Sequence, residues 1–403
     1  MKDISIILLK AICAIIIVIN ACHIMPFIDS LTNLLIPSLF MALGYFFKTD
    51  YWSDTRGYLS KRIKNIYIPF LIWSAVFVAL HNILALIHFS TPEIWGWQET
   101  FQRLWNLTFG MFGYDPIVSS SFGLFRGMFV GSIAFYFITL MMNTIFSKLS
   151  DCRIIEISLL FTILMTMWMT LSHLSIPIFP NSGYTEMMSI IFFGAGCLYH
   201  QYEEYFKHRS LLALIMSFTL IGLSVFSSSN MTTEAKFITF VSTLLGGVAG
   251  FCVLHHLSII LSKTNKRVLF FLEYVGSNWL YIVAFFPLAF KLVSIFHILF
   301  TDLEWDTLYL LPVASDTFSG VSLIYAIVGG SLPLLCIWGW KEADKRYDLT
   351  TINCVKYTGS GMLTLLKLIW KGIKFLGNTI WNSIKSIYSN ITDIIKASNP
   401  SEE

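Results

Sequence analysis

Long apolar segments are the feature of this 403-residue chain that most restricts its fold. About 20 consecutive apolar residues are enough for a helix to cross a hydrocarbon core of roughly 30 Å. Only 13% of the residues are charged, whereas soluble domains average about 25%. We therefore predict an all-α membrane protein that crosses the bilayer many times.

Ten apolar segments are candidate spans. They are residues 4–22, 31–47, 66–89, 122–146, 154–174, 187–200, 211–227, 237–261, 274–296 and 320–340. If the N-terminus lies in the cytoplasm, nearly all Lys and Arg residues between the spans fall on the cytoplasmic side, as the positive-inside rule requires. Removal of one span would destroy this segregation. The pattern predicts ten spans with both termini in the cytoplasm.

The C-terminal tail has a different pattern. Between residues 362 and 395, isoleucine and leucine recur at steps of three and four, with lysines on the flanks and with Trp370 and Trp381. This spacing predicts an amphipathic helix on the inner leaflet, and a helix that binds a partner protein is the alternative. We therefore predict a membrane domain over residues 1–348 and a basic cytoplasmic tail over 349–403.

Two ionisable residues occupy the first apolar hairpin, Lys10 within the first segment and His23 just after it. A charged side chain at the centre of a bilayer costs about 2.5–3.5 kcal/mol, so such residues usually face a bundle interior and carry function. Two simpler interpretations stay open. Lys10 could extend its side chain to the near interface, and His23 could be an ordinary interfacial residue.

Two further basic features allow two interpretations each. The loop after the second segment carries Lys61, Arg62 and Lys64, which could be a positive-inside anchor or a site for an anionic phosphate or nucleotide ligand. Arg126 interrupts the fourth segment, beside glycines that recur every four residues, and could either carry function or extend outward. We favour a functional role for Arg126.

Soluble-enzyme motifs do not account for function here. The seven cysteines are scattered without a CxxC pair, which argues against a disulfide framework and against a zinc site. The sequence contains no glycine-rich phosphate loop, no HExxH and no GxSxG. We expect no metal site and no resident cofactor.

Five stretches, in this order, resemble segments of one known family. They are PSLFMALGYFFK (37–48), KRIKNIYIPFLIW (61–73), SFGLFRGMFVGSIAFYF (121–137), EYVGSNWLYIVAFFPLAFKLV (273–293) and the run from LLPVA through YAIVGGSLPLLC (310–336). The chain resembles the membrane-bound acyltransferase family 3, the bacterial O-acyltransferases of surface polysaccharides. The resemblance covers nearly the whole chain up to about residue 348.

The resemblance implies a reaction across the bacterial inner (plasma) membrane. A cytoplasmic acyl-CoA would donate a small acyl group, acetyl, to a hydroxyl of a surface or exported glycan. The implied partners are acyl-CoA, a glycan or lipid-linked glycan and the bilayer, with no nucleic acid. Lys10 matches the basic position of the family, and His23 would accept the hydroxyl proton. Arg126 and the Lys61, Arg62 and Lys64 cluster would hold the acyl donor.

Some positions depart from the family pattern. The expected histidine of the first span falls at Ala21, two residues before His23, and Leu43 and Phe286 replace two other polar residues. These departures leave open a catalytically degenerate member that acts as a binding or assembly partner in glycan export. A transporter for a lipid-linked glycan is the third hypothesis. It would predict inverted repeats, which the sequence does not show.

Overall fold

The computed structural model describes residues 4–22, 26–176, 179, 183–207, 210–226, 236–263, 265–301, 304–309 and 320–347. All regular structure in these ranges is helical, which confirms the predicted all-α class. His23 and the tail from 362 to 395 lie outside the described residues, so the predictions about them stay predictions.

Fifteen α-helices are present in the described ranges. They are α1 (Ile4–Ala21), α2 (Pro26–Leu35), α3 (Pro37–Gly44), α4 (Thr55–Arg62), α5 (Ile68–Leu86), α6 (Trp97–Gly110), α7 (Phe122–Ile145), α8 (Asp151–Leu171), α9 (Tyr184–Gln201), α10 (Glu203–Lys207), α11 (Ser210–Phe226), α12 (Phe237–Leu261), α13 (Lys266–Ser277), α14 (Trp279–Leu299) and α15 (Gly320–Tyr347). Short 3₁₀ turns occur at Thr49–Trp52 and Trp305–Tyr309.

Seven helices of the described chain are long and apolar enough to cross a membrane. They lie at Ile4–Ala21, Thr55–Leu86, Phe122–Ile145, Asp151–Leu171, Phe237–Leu261, Trp279–Leu299 and Gly320–Glu342. The other three predicted spans correspond to α2 with α3, to α9 and to α11. The polytopic membrane class is therefore confirmed, whereas ten spans stay a prediction.

The second predicted span is two short helices rather than one. Pro37 has no N–H to donate to the Asn33 carbonyl, so the hydrogen-bonding pattern is interrupted there. Accordingly α2 ends at Leu35 and α3 begins at Pro37, while Ile36 between them keeps helical angles, with φ −54° and ψ −41°. The chain continues in nearly the same direction.

Helix α3 crosses α9 in backbone contact. A Cβ atom at Gly44 would lie 1.9 Å from the Phe193 carbonyl oxygen, and one at Gly196 would lie 2.0 Å from the Met41 carbonyl oxygen. Neither position has room for a side chain, so the two glycines set the separation of the helices. The crossing places the C-terminal end of α3 beside Phe193.

Helices α4 and α5 form one 32-residue rod interrupted by a π-helical turn at Ile63–Tyr67. The Ile68 N–H donates to the Ile63 carbonyl, five residues back. Pro69 offers a reason, because it cannot donate to the Asn65 carbonyl. Turns of this kind often occur at functional sites, and this one directly follows Arg62.

Pro287 leaves another carbonyl without its helical donor, that of Val283. The hydroxyl of Ser121 donates to this Val283 oxygen. The proline of α14 thereby ties the helix to the residue that precedes α7. This satisfies a backbone group that would be costly to leave unpaired in a membrane interior.

The chain divides into two compact units, Met1–Leu335 and Cys336–Glu403, with the boundary inside α15. The site described below lies entirely within the first unit. The predicted division at 348/349 stays a prediction, because residues from 348 onward lie outside the described ranges.

Candidate functional site

A cavity of about 700 Å³ lies among α1, α3, the α4–α5 rod, α7 and α14. Five of its lining residues are cationic and none is acidic. The cations are Lys10, Lys48, Lys61, Arg62 and Lys64. Aromatic rings form much of the remaining wall. They belong to Phe46, Tyr51, Tyr58, Phe70, Trp73, Phe122, Phe125, Trp279 and Tyr281.

Lys10 reaches this cavity from α1. Its Nζ lies 4.8 Å from the centroid of the Phe46 ring, and the side chain is half-buried. Close packing of α1 against α13 holds the helix that carries Lys10, since a Cβ atom at Gly276 would lie 2.0 Å from the Ile7 carbonyl oxygen. The structure therefore places Lys10 in the bundle interior, against a cation–π partner.

The basic loop separates into an inner cation and cations at the rim. The Arg62 guanidinium lies 5.1 Å from the Tyr58 ring centroid and 5.2 Å from that of Phe193. Its Nε is buried and has no hydrogen-bond partner among the described residues. Lys61 and Lys64 are exposed, and Lys61 Nζ donates to the Tyr51 hydroxyl at 3.0 Å. Arg62 alone of the three is enclosed by rings.

The chemistry of this cavity suits an anionic ligand. Its volume is within the range of small-molecule and cofactor sites, roughly 300–1,000 Å³. Five cations without a carboxylate repel one another, and several phosphate groups would neutralise them. Guanidinium and ammonium groups are the usual phosphate ligands. The aromatic walls can contact apolar or planar parts of the same ligand.

Arg126 is not among the residues that line this cavity. Its Nε donates to Glu186 Oε1 on α9 at 2.5 Å, and the two residues are 4% and 1% exposed. Glu186 Oε2 is buried without a hydrogen-bond partner in the described part. The Tyr114 hydroxyl lies close enough to Arg126 to be influenced by its charge. Burial raises the pKa of Tyr114, and the adjacent Arg126 charge opposes that rise.

Sequence reasoning did not identify Glu186. It lies one residue before the predicted span 187–200, in the first turn of α9. An acid in the first turn is expected from the helix dipole alone. The sequence therefore gives no reason to pair Glu186 with an arginine sixty residues away. One signal was available in the sequence. Glu186 directly precedes an apolar segment, and Arg126 in another apolar segment needs an acidic partner.

A second buried polar group joins α5 to the segment that follows α6. His81 Nδ1 lies 2.7 Å from Asp115 Oδ2, and His81 Nε2 lies 3.0 Å from the Glu93 carbonyl. Ser90 also donates to Asp115, whose other oxygen accepts two backbone N–H groups. Nucleophilic triads use the same three residue types. Here both ring nitrogens already have partners, because Nδ1 also lies 3.1 Å from the Ser90 hydroxyl, so neither nitrogen is available to a substrate.

Lys291, which is also buried, donates to the Leu308 carbonyl. The Asp115 carboxylate also acts on it electrostatically. The Trp95 ring covers His81, with 3.2 Å between the ring centroids and 5° between the planes. These contacts indicate a structural clamp around Asp115.

Helix α1 ends at Ala21, and the Cys22 N–H donates back to the Ile19 carbonyl. On a continuous helix the two residues between Ala21 and His23 would correspond to roughly 200° of rotation. Because the helix ends first, helical geometry does not fix the direction of residue 23. The catalytic role of His23 stays a prediction.

Apolar helices around an aromatic, cation-lined cavity define the described part of this chain as a polytopic membrane protein. The family model described as "Acyltransferase domain" matches residues 3–338. The chain belongs to the acyltransferase 3 family, as its sequence motifs predict. Comparison with curated proteins gives no significant match, and comparison with solved structures gives none either.

Family membership supports acyl transfer as the general reaction of this membrane protein. The family match includes Lys10, the basic loop, Arg126 and Glu186 within one continuous domain.

Proposed function

We propose that this protein transfers an acetyl group from cytoplasmic acetyl-CoA to a hydroxyl of a surface or exported glycan, in the inner membrane of a bacterium. The observation that carries the proposal is the cavity with five cations and no acid. Coenzyme A carries a diphosphate, a further phosphate and an adenine, which match the cations and the aromatic walls in kind.

The cations would divide the work by position. Lys48, Lys61 and Lys64 are exposed and would attract the phosphates of the donor. Arg62, held between two rings, would bind one phosphate with a fixed guanidinium plane. Lys10 lies on α1 within the bundle, where the thioester carbonyl would be held.

The chemical step is attack of the acceptor hydroxyl on the thioester carbonyl carbon. His23 would accept the hydroxyl proton, and the Lys10 ammonium would balance the negative charge of the tetrahedral intermediate. The C–S bond then breaks, coenzyme A leaves as its thiol after taking a proton, and the glycan carries the new ester. The resemblance assigns Arg126 to donor handling. Its pairing with Glu186 favours an indirect contribution through the cavity wall.

The test compares base-releasable acetate on surface glycan in cells with wild-type protein, His23→Ala, Lys10→Ala or no protein. We expect deletion to abolish the protein-dependent acetate and both substitutions to reproduce the deletion at normal expression. Lys148→Ala, at an exposed lysine outside the cavity, is the matched control and should retain acetylation. Wild-type acetylation in His23→Ala cells would contradict the role of His23.

The second candidate is a catalytically degenerate binding or assembly partner in glycan export. The observation that favours it is Ala21, with Leu43 and Phe286, at positions where the family has polar residues. Unchanged acetylation after deletion would support this candidate. Thermal unfolding with and without acetyl-CoA separates the two functions further, because only the enzyme must bind the donor. A lipid-linked glycan transporter is supported by no described contact.

A further inference from the structure

Arg126 and Glu186 form a buried pair whose purpose the donor cavity does not explain. Arg126 lies on α7 beside Phe122, Phe125 and Met128, which line the cavity, but it is not itself part of the lining. Its charge is already matched by Glu186 at 2.5 Å. A matched charge gives little net attraction to a polyanionic donor, so charge recognition falls to the five unmatched cations.

Stability does not explain the pair well either. Two charges taken out of water pay a desolvation cost that their attraction often fails to recover, and apolar residues of similar volume are frequently as stable. Glu186 Oε2 is also buried without a partner in the described part, which adds a cost. Stability alone therefore gives little reason for this pair in place of an apolar contact between α7 and α9.

The guanidinium connects Glu186 to an end wall of the cavity. The Tyr114 hydroxyl lies close enough to the Arg126 guanidinium to be influenced by its charge. The Tyr114 ring then packs 6.2 Å, centroid to centroid, from both Phe70 and Phe122, which line the cavity. A continuous set of contacts thus runs from the carboxylate on α9 to the rings that contact a bound donor.

We propose that Glu186 is a positioning residue for acyl transfer, which orients Arg126 and, through Tyr114, the aromatic wall formed by Phe70 and Phe122. The inference rests on the proposed function. The pair holds the acyl group of the donor at the correct place for attack, and the cavity cations supply the binding affinity for acetyl-CoA. A misplacement of about 1 Å at a reacting centre can cost a hundredfold in rate.

The decisive variant is the double substitution Arg126→Met with Glu186→Met, which removes both charges and keeps volume. Everted membrane vesicles supply the cell's own acceptor, and radiolabelled acetyl-CoA is varied outside them. We expect a thermal unfolding temperature near that of the wild type, a KM for acetyl-CoA within threefold and a kcat at least thirtyfold lower. Arg153→Met with Glu156→Met, which breaks an ion pair on α8 away from the cavity, is the matched control.

Wild-type turnover in the Arg126 and Glu186 double variant would overturn the inference, since the pair would then be only structural. A raised KM with normal kcat would overturn it as well, because Arg126 would then bind the donor directly. If neither the wild type nor the control double variant transfers acetyl groups, the proposed function fails, and the inference falls with it. A defect confined to the double variant leaves the proposed function intact.

Tyr114→Phe tests the connection without disturbing the ion pair and guards against a double variant that does not fold. Only the hydroxyl group near the Arg126 guanidinium is lost. We expect kcat to fall at least fivefold, with an unchanged KM and unfolding temperature. An unchanged kcat in Tyr114→Phe would contradict the role assigned to the wall.

Discussion

The two groups of charged side chains inside this protein are arranged in opposite ways. The donor cavity contains five cations and no acid among its lining residues. The paired cluster, which we define as Arg126 with Glu186 and His81 with Asp115, sets each basic side chain against a buried carboxylate within 2.7 Å. Unmatched cations are available to a ligand, whereas matched ones hold helices in place. A basic residue in an apolar segment is therefore interpretable only once its partners are known.

The largest expected effect is on stability, and it should occur only in the paired cluster. Asp115→Ala removes the partner of His81, the acceptor for Ser90 and the acceptor for two backbone N–H groups. Each buried hydrogen-bonding group that is left without its partner costs about 1–3 kcal/mol. We expect a clearly lower unfolding temperature in detergent.

Asp306→Ala is the control, because Asp306 faces His88 at 3.4 Å with a side chain that is 77% exposed. An exposed pair contributes about 0–1 kcal/mol. Equal losses of stability in the two variants would mean that the buried contacts of Asp115 contribute no more than the exposed contact between Asp306 and His88.

Much of the fold follows from hydropathy because membrane crossing depends on local composition. Breaks within helices can also be predicted from the sequence when their cause is local, as at Pro37. The sequence also points to Lys10 and Arg62, because an isolated cation in an apolar segment and a basic loop are visible without partners. Glu186 and Asp115 were not found, since their roles depend on residues 60 and 34 positions away that only packing brings together.

The next effect is on donor affinity and should occur only in the cavity. Arg62→Met removes the cation held between the Tyr58 and Phe193 rings. Hydrogen bonds to charged groups contribute about 1.5–3 kcal/mol, which corresponds to at least a tenfold weaker Kd for coenzyme A by titration calorimetry. Stability should stay equal or increase, because Arg62 and Lys10 repel each other.

Arg56→Met is the control for that substitution. Arg56 lies on the same helix α4, is exposed and does not line the cavity. Its coenzyme A affinity should equal that of the wild type. If Arg62→Met instead unfolds the protein without changing affinity in the folded fraction, the cavity cations are structural and the contrast with the paired cluster is lost.

The smallest expected effect separates the rim of the cavity from its interior. Lys61 and Lys64 are exposed, and exposed charges are screened by salt over about 10 Å at 0.1 M ionic strength. Lys61→Gln with Lys64→Gln should therefore weaken coenzyme A binding by about twofold to fivefold at low salt and have almost no effect at 0.5 M, since each exposed contact contributes about 0–1 kcal/mol. The Arg62→Met loss should persist at both salt concentrations, because rings shield the guanidinium from solvent ions. Titrations of the two variants at both concentrations measure the difference. Equal salt dependence in the two variants would mean that the bound donor contacts inner and rim cations alike, and that the cavity is a single electrostatic site.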